Sequence, residues 1–242
     1  MDKHTFEQTI YHNWASHFGQ AAEITSQPGT TLVSEEKYRG DKEIALWYIG
    51  KRTFAQYDPD LAEVVQRAVA QFPADKSLTA DDLAASVGAE KIKARDRSLA
   101  LYLYPDDLPA YAPPSPYIVR PLTLADAGAL LGLKGHMTSA EVDEGYVEVD
   151  HQVALGCFAG EQMVAAASGY ELAGFMDIGV LTHSAHRRKG LGKAVVGALC
   201  AWASENGYIA QYRHDVTNTG SAHVAQSLNF KVYAEEETLW MK

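Results

Sequence analysis

The chain is poor in cysteine and in positive charge, and it has no long apolar run. Two cysteines occur in 242 residues, Cys157 and Cys200, both in apolar stretches. Two such residues do not make a disulfide framework, so buried free thiols in a reducing compartment are the expectation. No apolar run approaches the roughly 20 residues that a membrane-spanning helix needs. The opening Met1-Asp2-Lys3-His4 lacks the charged-then-apolar layout of a secretory signal. A soluble, cytoplasmic protein with no membrane partner is expected. Lysine and arginine number 21 against 31 acidic residues, a formal net charge of −10. That balance argues against nucleic acid as a partner, because phosphate backbones demand clustered cations. It suits a cationic amine, drawn in by long-range attraction.

Within this acidic chain, cations gather at one place, Arg187-Arg188-Lys189-Gly190-Leu191-Gly192-Lys193. An apolar run, Ile178 to Thr182, precedes it. A helical pattern follows, through Leu191, Ala194, Val195, Ala198, Leu199 and Trp202. Strand, basic glycine turn and helix make a phosphate cradle. The glycines let backbone approach an anion, and the first helical amides have no partner of their own. A Walker A loop fails here: Arg187 stands where its first glycine belongs, and Ala194 where Ser or Thr belongs. The dinucleotide fingerprint fails as well, since Val195 replaces its third glycine.

The spacing that fits is R-x-x-G-x-G, with Arg187, Gly190 and Gly192. Here the run resembles the pyrophosphate loop of the GNAT superfamily, the GCN5-related N-acetyltransferases. A second stretch, Asn218-x-x-Ser221-x-x-x-Ala225-x-x-Leu228-Asn229-Phe230, is similar to that family's N-x-x-S/A…L-G-F signature. The resemblance covers about residues 117–242 and implies acetyl-CoA as co-substrate. Amides from Arg188 through Lys193 would hold its pyrophosphate, with Arg187 beside them. Backbone at Val180, Leu181 and Thr182 would pair with the pantetheine arm, and Asn218 and Ser221 would touch the cofactor. Two departures stand out. Ala225 occupies the place where many members carry a thiolate-protonating Tyr, and Asn229 replaces the usual Gly. Asn tolerates the left-handed turn better than most residues.

The implied fold is α/β in the α+β sense, a mixed and largely antiparallel sheet flanked by helices. Length suggests two domains, and 47% hydrophobic residues suffice for packed cores. Tyr104 to Pro116 breaks helices and ladders, so residues 105–116 read as a Pro-rich linker. The expected division is 1–104, 105–116 and 117–242. After the linker the expected order is strand, two helices, three strands, helix, strand, helix, strand. In the first segment, strands are expected at Ile44–Ile49, Arg52–Tyr57 and Ser98–Tyr104, with helices at Leu61–Phe72 and from Thr79. That content resembles a degenerate half-GNAT unit. Its Asp58-Pro59-Asp60 precedes a helix where a cradle needs cations, so no second cofactor site is expected.

Direct acetyl transfer in a ternary complex needs a neutral amine, a polarised thioester carbonyl and a leaving thiolate. A lysine-like amine has a pKa of about 10.4, so something must take its proton. Asp177, at the head of the cradle strand, is the first candidate. Glu171 and Glu144 are further candidates, either as base or as a binder of the amine. Tyr212 and Tyr233 are candidate proton donors to the thiolate. The amide near Val180 or Leu181 is the candidate oxyanion donor if the strand splays there. His183, His186, His214 and His223 follow no ligand spacing, so no metal is expected. The acceptor is a small-molecule or peptide amine, and the sequence leaves its identity and the oligomeric state open. A non-catalytic sensor of CoA or acyl-CoA remains the alternative.

Overall fold

The computed structural model describes residues 1–110 and 112–242; Tyr111, in the expected linker, lies outside the described residues. The first elements along the chain are α1 (Lys3–His17), β1 (Gly29–Ser34), β2 (Glu43–Ile49), β3 (Arg52–Tyr57), α2 (Ala62–Val69), α3 (Ala80–Val87) and β4 (Ile92–Leu103). Then come β5 (Ile118–Pro121), α4 (Ala127–Lys134), α5 (Ser139–Gly145), β6 (Val153–Ala159), β7 (Gln162–Leu172) and β8 (Phe175–Thr182). The chain closes with α6 (Leu191–Glu205), β9 (Ala210–Asp215), α7 (Thr219–Ser227) and β10 (Lys231–Met241). Every expected element is present; α1 and β1 are additions.

Two compact units form. The first takes residues 1–100, 214–217 and 232–242, and the second takes 101–213 and 218–231. The division therefore falls within β4, not in the Pro-rich stretch, and β10 counts with the first unit. The reason is pairing: Ala234 through Trp240 run antiparallel to Ile49 through Glu43 of β2.

In the first unit the strands lie in the order β1-β3-β2-β10-β4. Alternation along β2 sends Ile44 and Leu46 into a cluster with Val65, Ala68 and Leu83 of α2 and α3. Trp47 points the other way and meets Trp14 of α1, ring centroids 4.5 Å apart. α1 was not legible in the sequence because histidines and other polar residues interrupt its apolar face of Phe6, Ile10 and Trp14. The strands flanking α2 and α3, namely β3 and β4, are separated by β2 and β10.

In the second unit the order is β9-β8-β7-β6-β5. β5 through β8 are antiparallel neighbours, and β8 and β9 run parallel. This is a mixed sheet with helices on it, of the expected class. One face carries α4 and α5, with Leu130, Leu133, Ala166 and Leu181 in a shared core. The alternate residues of β8, Val180 and Thr182, meet the start of α6.

α5 and β8 approach each other backbone to backbone. A Cβ on Gly179 would come 2.0 Å from the Gly145 carbonyl oxygen and 2.8 Å from that of Tyr146. Both neighbours are backbone, so nothing can swing aside. Gly132, inside α4, has no neighbouring atom within 4 Å of its position for a Cβ. Gly179→Ala should accordingly cost about 1–3 kcal/mol by overpacking. Gly132→Ala should add about 0.5–1 kcal/mol by lowering the entropy of the unfolded chain. Urea midpoints of the two variants check the opposite signs.

Candidate functional site

The site begins where β8 loses a neighbour. β8 pairs with β7 over its whole length, from Phe175–Leu172 to Thr182–Ala165. Against β9 it pairs at two positions only, Met176–Ala210 and Asp177–Gln211. Hydrogen bonds fix the parity of the free edge. The His183 N–H donates to Val164 of β7 (2.9 Å), and the Met176 N–H donates across to Ile209 (3.0 Å). Alternate residues of a strand direct their backbone groups to opposite neighbours. Gly179 and Leu181 therefore face β7, while Val180 and Thr182 face the gap that β9 has left. Of the two amides expected to meet an oxyanion, parity puts Val180 on the open side and Leu181 in the ladder.

The gap widens into a cavity of about 740 Å³. Its wall includes Val180, Leu181, Thr182, Arg187, Arg188, Gly190, Leu191, Gly192, Lys193, Tyr212, Asn218 and Ser221, all expected site residues. Residues that sequence reading did not place in a cofactor or acceptor site join them: Met137, Glu141, Gly145, Arg213, His223 and Val224. They come from α5 and the turn before it, from β9 and from α7, segments distant in sequence from β8. Four expected residues stand off the wall, among them Tyr233, whose ring meets that of Phe6 edge-on at 5.9 Å. Lys189 donates to the Tyr117 hydroxyl at 3.1 Å. Glu171 is exposed, close to the turn between β7 and β8. Asp177 is 4% exposed and engaged elsewhere.

At one end of the cavity the backbone turns as an anion cradle requires. Arg188 (φ 62°) and Gly190 (φ 75°) are both left-handed, and Leu191 opens α6. No side chain caps α6, so its first amides have no partner within the helix. A Cβ on Gly192 would lie 3.2 Å from Thr182 Oγ1, which explains a glycine there. Arg187 spans the rim: its Nε donates to the Thr182 carbonyl (3.2 Å) and its Nη2 to Glu141 Oε1 (2.7 Å). On the facing wall Asn218 caps α7 by accepting from the Ser221 N–H at 2.9 Å. Its amide nitrogen donates to Glu144 Oε1 at 2.6 Å. Asn229 has φ 66° and donates to the Asp107 carbonyl, so the turn survives without glycine.

At the other end lies a closed polar network. Arg213 donates to Asp177 through Nη2 (2.7 Å to Oδ2) and Nε (3.1–3.2 Å). Gln211 donates to Asp177 Oδ1 (2.9 Å) and Tyr170 to Oδ2 (2.8 Å). A carboxylate so occupied holds a guanidinium in place; it has no spare oxygen for an incoming proton. Burial, then the Asp177 charge, push the Tyr170 phenol up to about 12. Burial pushes the Tyr212 phenol up to about 12, with the Ser221 side chain pulling the other way. Both phenols are neutral donors at neutral pH.

Comparison with known proteins agrees with this geometry. Residues 152–238 match the model of the family described as GNAT acetyltransferase. The chain is similar in fold to a GCN5-related N-acetyltransferase from Sphaerobacter thermophilus, with TM-score 0.55 and 12% identity over 97% of this chain and 90% of that one. It is also similar to an acetyltransferase of the GNAT family from Colwellia psychrerythraea, with TM-score 0.54 and 11% identity over 79% and 77% of the two chains. No curated protein matches the chain. The match over residues 152–238 supports the GNAT superfamily for the C-terminal portion of the chain, and the fold is that of the two acetyltransferases named.

Among the described residues no three His, Cys, Asp or Glu side chains are placed to hold a metal ion, and no helix is long and apolar enough to cross a membrane. The histidines near the cradle pack against one another, tilted or edge to face. The His183 ring lies 4.2 Å from that of His136 and 5.2 Å from that of His186. His183 is buried, and its Nδ1 accepts from the Ala185 N–H at 3.1 Å. Burial first, then the two neighbouring rings, lower its pKa. An unfolded histidine titrates near ~6.5, so the unfolded chain binds more protons in mild acid. Stability from this group is full above about 6.5 and is lost as the pH falls towards the depressed folded value. Urea midpoints at roughly pH 5.5 and 7.5 should differ in that sense. His183→Asn, which keeps an acceptor for Ala185, should narrow the difference.

Proposed function

We propose that the second unit is an acyl-CoA-dependent N-acyltransferase that moves an acetyl group from acetyl-CoA to a primary amine by direct attack. One observation carries this reading: a single cavity joins the uncapped start of α6 to the open edge of β8. An anion and an extended polar arm are thereby accommodated in one continuous site. Amides of residues 188–193 would hold the pyrophosphate, aided by the helix dipole and by Arg187 and Arg188. The Val180 and Thr182 backbone groups would pair with the pantetheine amides, as a strand would. Asn218 and Ser221, on the facing wall, would close on the same arm. Lys189, bonded to Tyr117, would act on the anion through its charge alone.

The thioester carbonyl then lies by the Val180 N–H, which stabilises the developing oxyanion. Tyr212, kept neutral, is suited to give a proton to the departing sulfur. A CoA-like thiolate, with a pKa of roughly 8.5 by analogy with Cys, leaves without a strong acid. Ala225 in place of a tyrosine is therefore no obstacle. Asp177 serves by fixing Arg213 beside the acceptor end of the cavity. The two buried thiols, Cys157 and Cys200, fit a reducing cytoplasm. The acceptor is a small-molecule or peptide amine.

Thermal denaturation with acetyl-CoA tests the assignment. At a hundredfold excess over Kd the ligand should stabilise the protein by about 2.7 kcal/mol. Gly190→Glu places a negative charge in the cradle and should abolish the shift. Gly190→Ala shares its left-handed strain, about 1–2 kcal/mol, and should keep most of it. No shift in the unsubstituted protein would remove the cradle. A shift with no thiol release on any amine would favour the non-catalytic sensor.

A further inference from the structure

Attack on a thioester requires a carboxylate or similar group where the amine arrives, and the carboxylates near the splay differ sharply in what they are doing. Both oxygens of Asp177 are taken by Arg213, Gln211 and Tyr170. Both oxygens of Glu141 are taken as well, one by Arg187 and the other by the Thr138 N–H and hydroxyl. Glu171 stands outside the cavity. Glu144 is on the cavity wall, exposed, with Oε1 held by Asn218 at 2.6 Å. Among the described residues, Oε2 of Glu144 has no hydrogen-bond partner.

Its placement relative to the reacting edge follows from its neighbour. Gly145 sits so close to β8 that a Cβ there would lie 3.0 Å from the Val180 carbonyl oxygen. Glu144 is thus one residue from the peptide that faces the gap. The Tyr212 phenol feels the Glu144 charge, so the two groups share one environment. Arg213, on the same cavity wall, is paired with Asp177, which offsets its repulsion of an incoming ammonium.

We infer that Glu144 is the catalytic residue that binds the acceptor ammonium through Oε2 and takes its proton, with Asn218 as its positioning residue. This rests on the acyl-CoA reading above. The ammonium gives one proton to Glu144, which passes it to solvent. The neutral nitrogen forms the N–C bond at the thioester carbon. The C–S bond then breaks, and the second nitrogen proton ends on sulfur, giving amide and free CoA thiol. Glu144 returns to its carboxylate form. The acceptor class is accordingly an amine that is protonated at neutral pH, not an arylamine or other nitrogen that arrives neutral.

The test compares two acceptors at saturating acetyl-CoA: cadaverine, an ammonium at pH 7, and hydroxylamine, whose nitrogen is neutral there. Glu144→Gln should lower kcat/KM for cadaverine by about 100-fold or more, the usual scale of general base catalysis. Hydroxylamine turnover and acetyl-CoA affinity should stay within about threefold, because neither needs an ammonium deprotonated before attack. The cadaverine deficit should shrink as pH rises towards about 10.4, where the amine loses its own proton. Glu144→Asp should rescue part of the rate. Equal loss with both acceptors, or no loss with cadaverine, would overturn the role of Glu144. So would an unsubstituted protein that binds acetyl-CoA and acylates neither acceptor. Failure of the unsubstituted protein to bind acetyl-CoA is a different result, which removes the acyl-CoA reading itself.

Discussion

An unpaired strand edge inside a protein is the constraint from which the candidate site grows. Backbone N–H and C=O groups are obligatory hydrogen-bonding groups, and leaving them unmade in a dry interior costs about 1–3 kcal/mol each. β8 meets that demand on one side by pairing with β7 throughout. On the other side β9 satisfies it for two residues and then departs. The backbone of Val180 and Thr182 is left facing a cavity, where water or an extended ligand must take the place of a strand. A parallel neighbour that leaves after two residues makes a slot shaped for a chain-like molecule.

Two close contacts keep the slot open. Gly145 and Tyr146 lie against Gly179 backbone to backbone, which pins the end of α5 over β8. Gly192 lies against Thr182, which brings the bare amides at the start of α6 to the end of the same strand. Neither approach tolerates a larger residue without movement. The consequence is that an uncapped helix start and an open strand edge are fixed to one strand. Arg187 and Asn218 then connect α5 to the cradle and to α7 through Glu141 and Glu144.

The fate of the acidic residues illustrates how far local reading goes. Asp177 sits at the head of the cradle strand, and nothing in its own segment distinguishes a proton acceptor from a structural anion. The distinction lies in Arg213, Gln211 and Tyr170, which are seven to thirty-six positions away in sequence and adjacent in the sheet. Glu144 carries no motif. It enters the cavity because α5 ends on Gly145 against β8. Lys189 shows the converse: it belongs to the basic motif, and Tyr117 draws it off the wall.

The sequence by itself determined the glycine turn that opens α6, the order of elements from residue 117 onward and the turn at Asn229. Each of these is encoded locally, by glycine at left-handed positions, by cations at a helix start and by apolar periodicity within one element. Tertiary structure alone decided where β8 and β9 part, which amide of the Val180–Leu181 pair faces the cavity and which carboxylate on its wall keeps one oxygen without a partner. It also decided that the last strand pairs with β2, which puts the division inside β4. These outcomes depend on register and on contacts between distant segments. A strand's side-chain pattern is the same whether its neighbour stays or leaves, so the gap has no signature in the residues that line it.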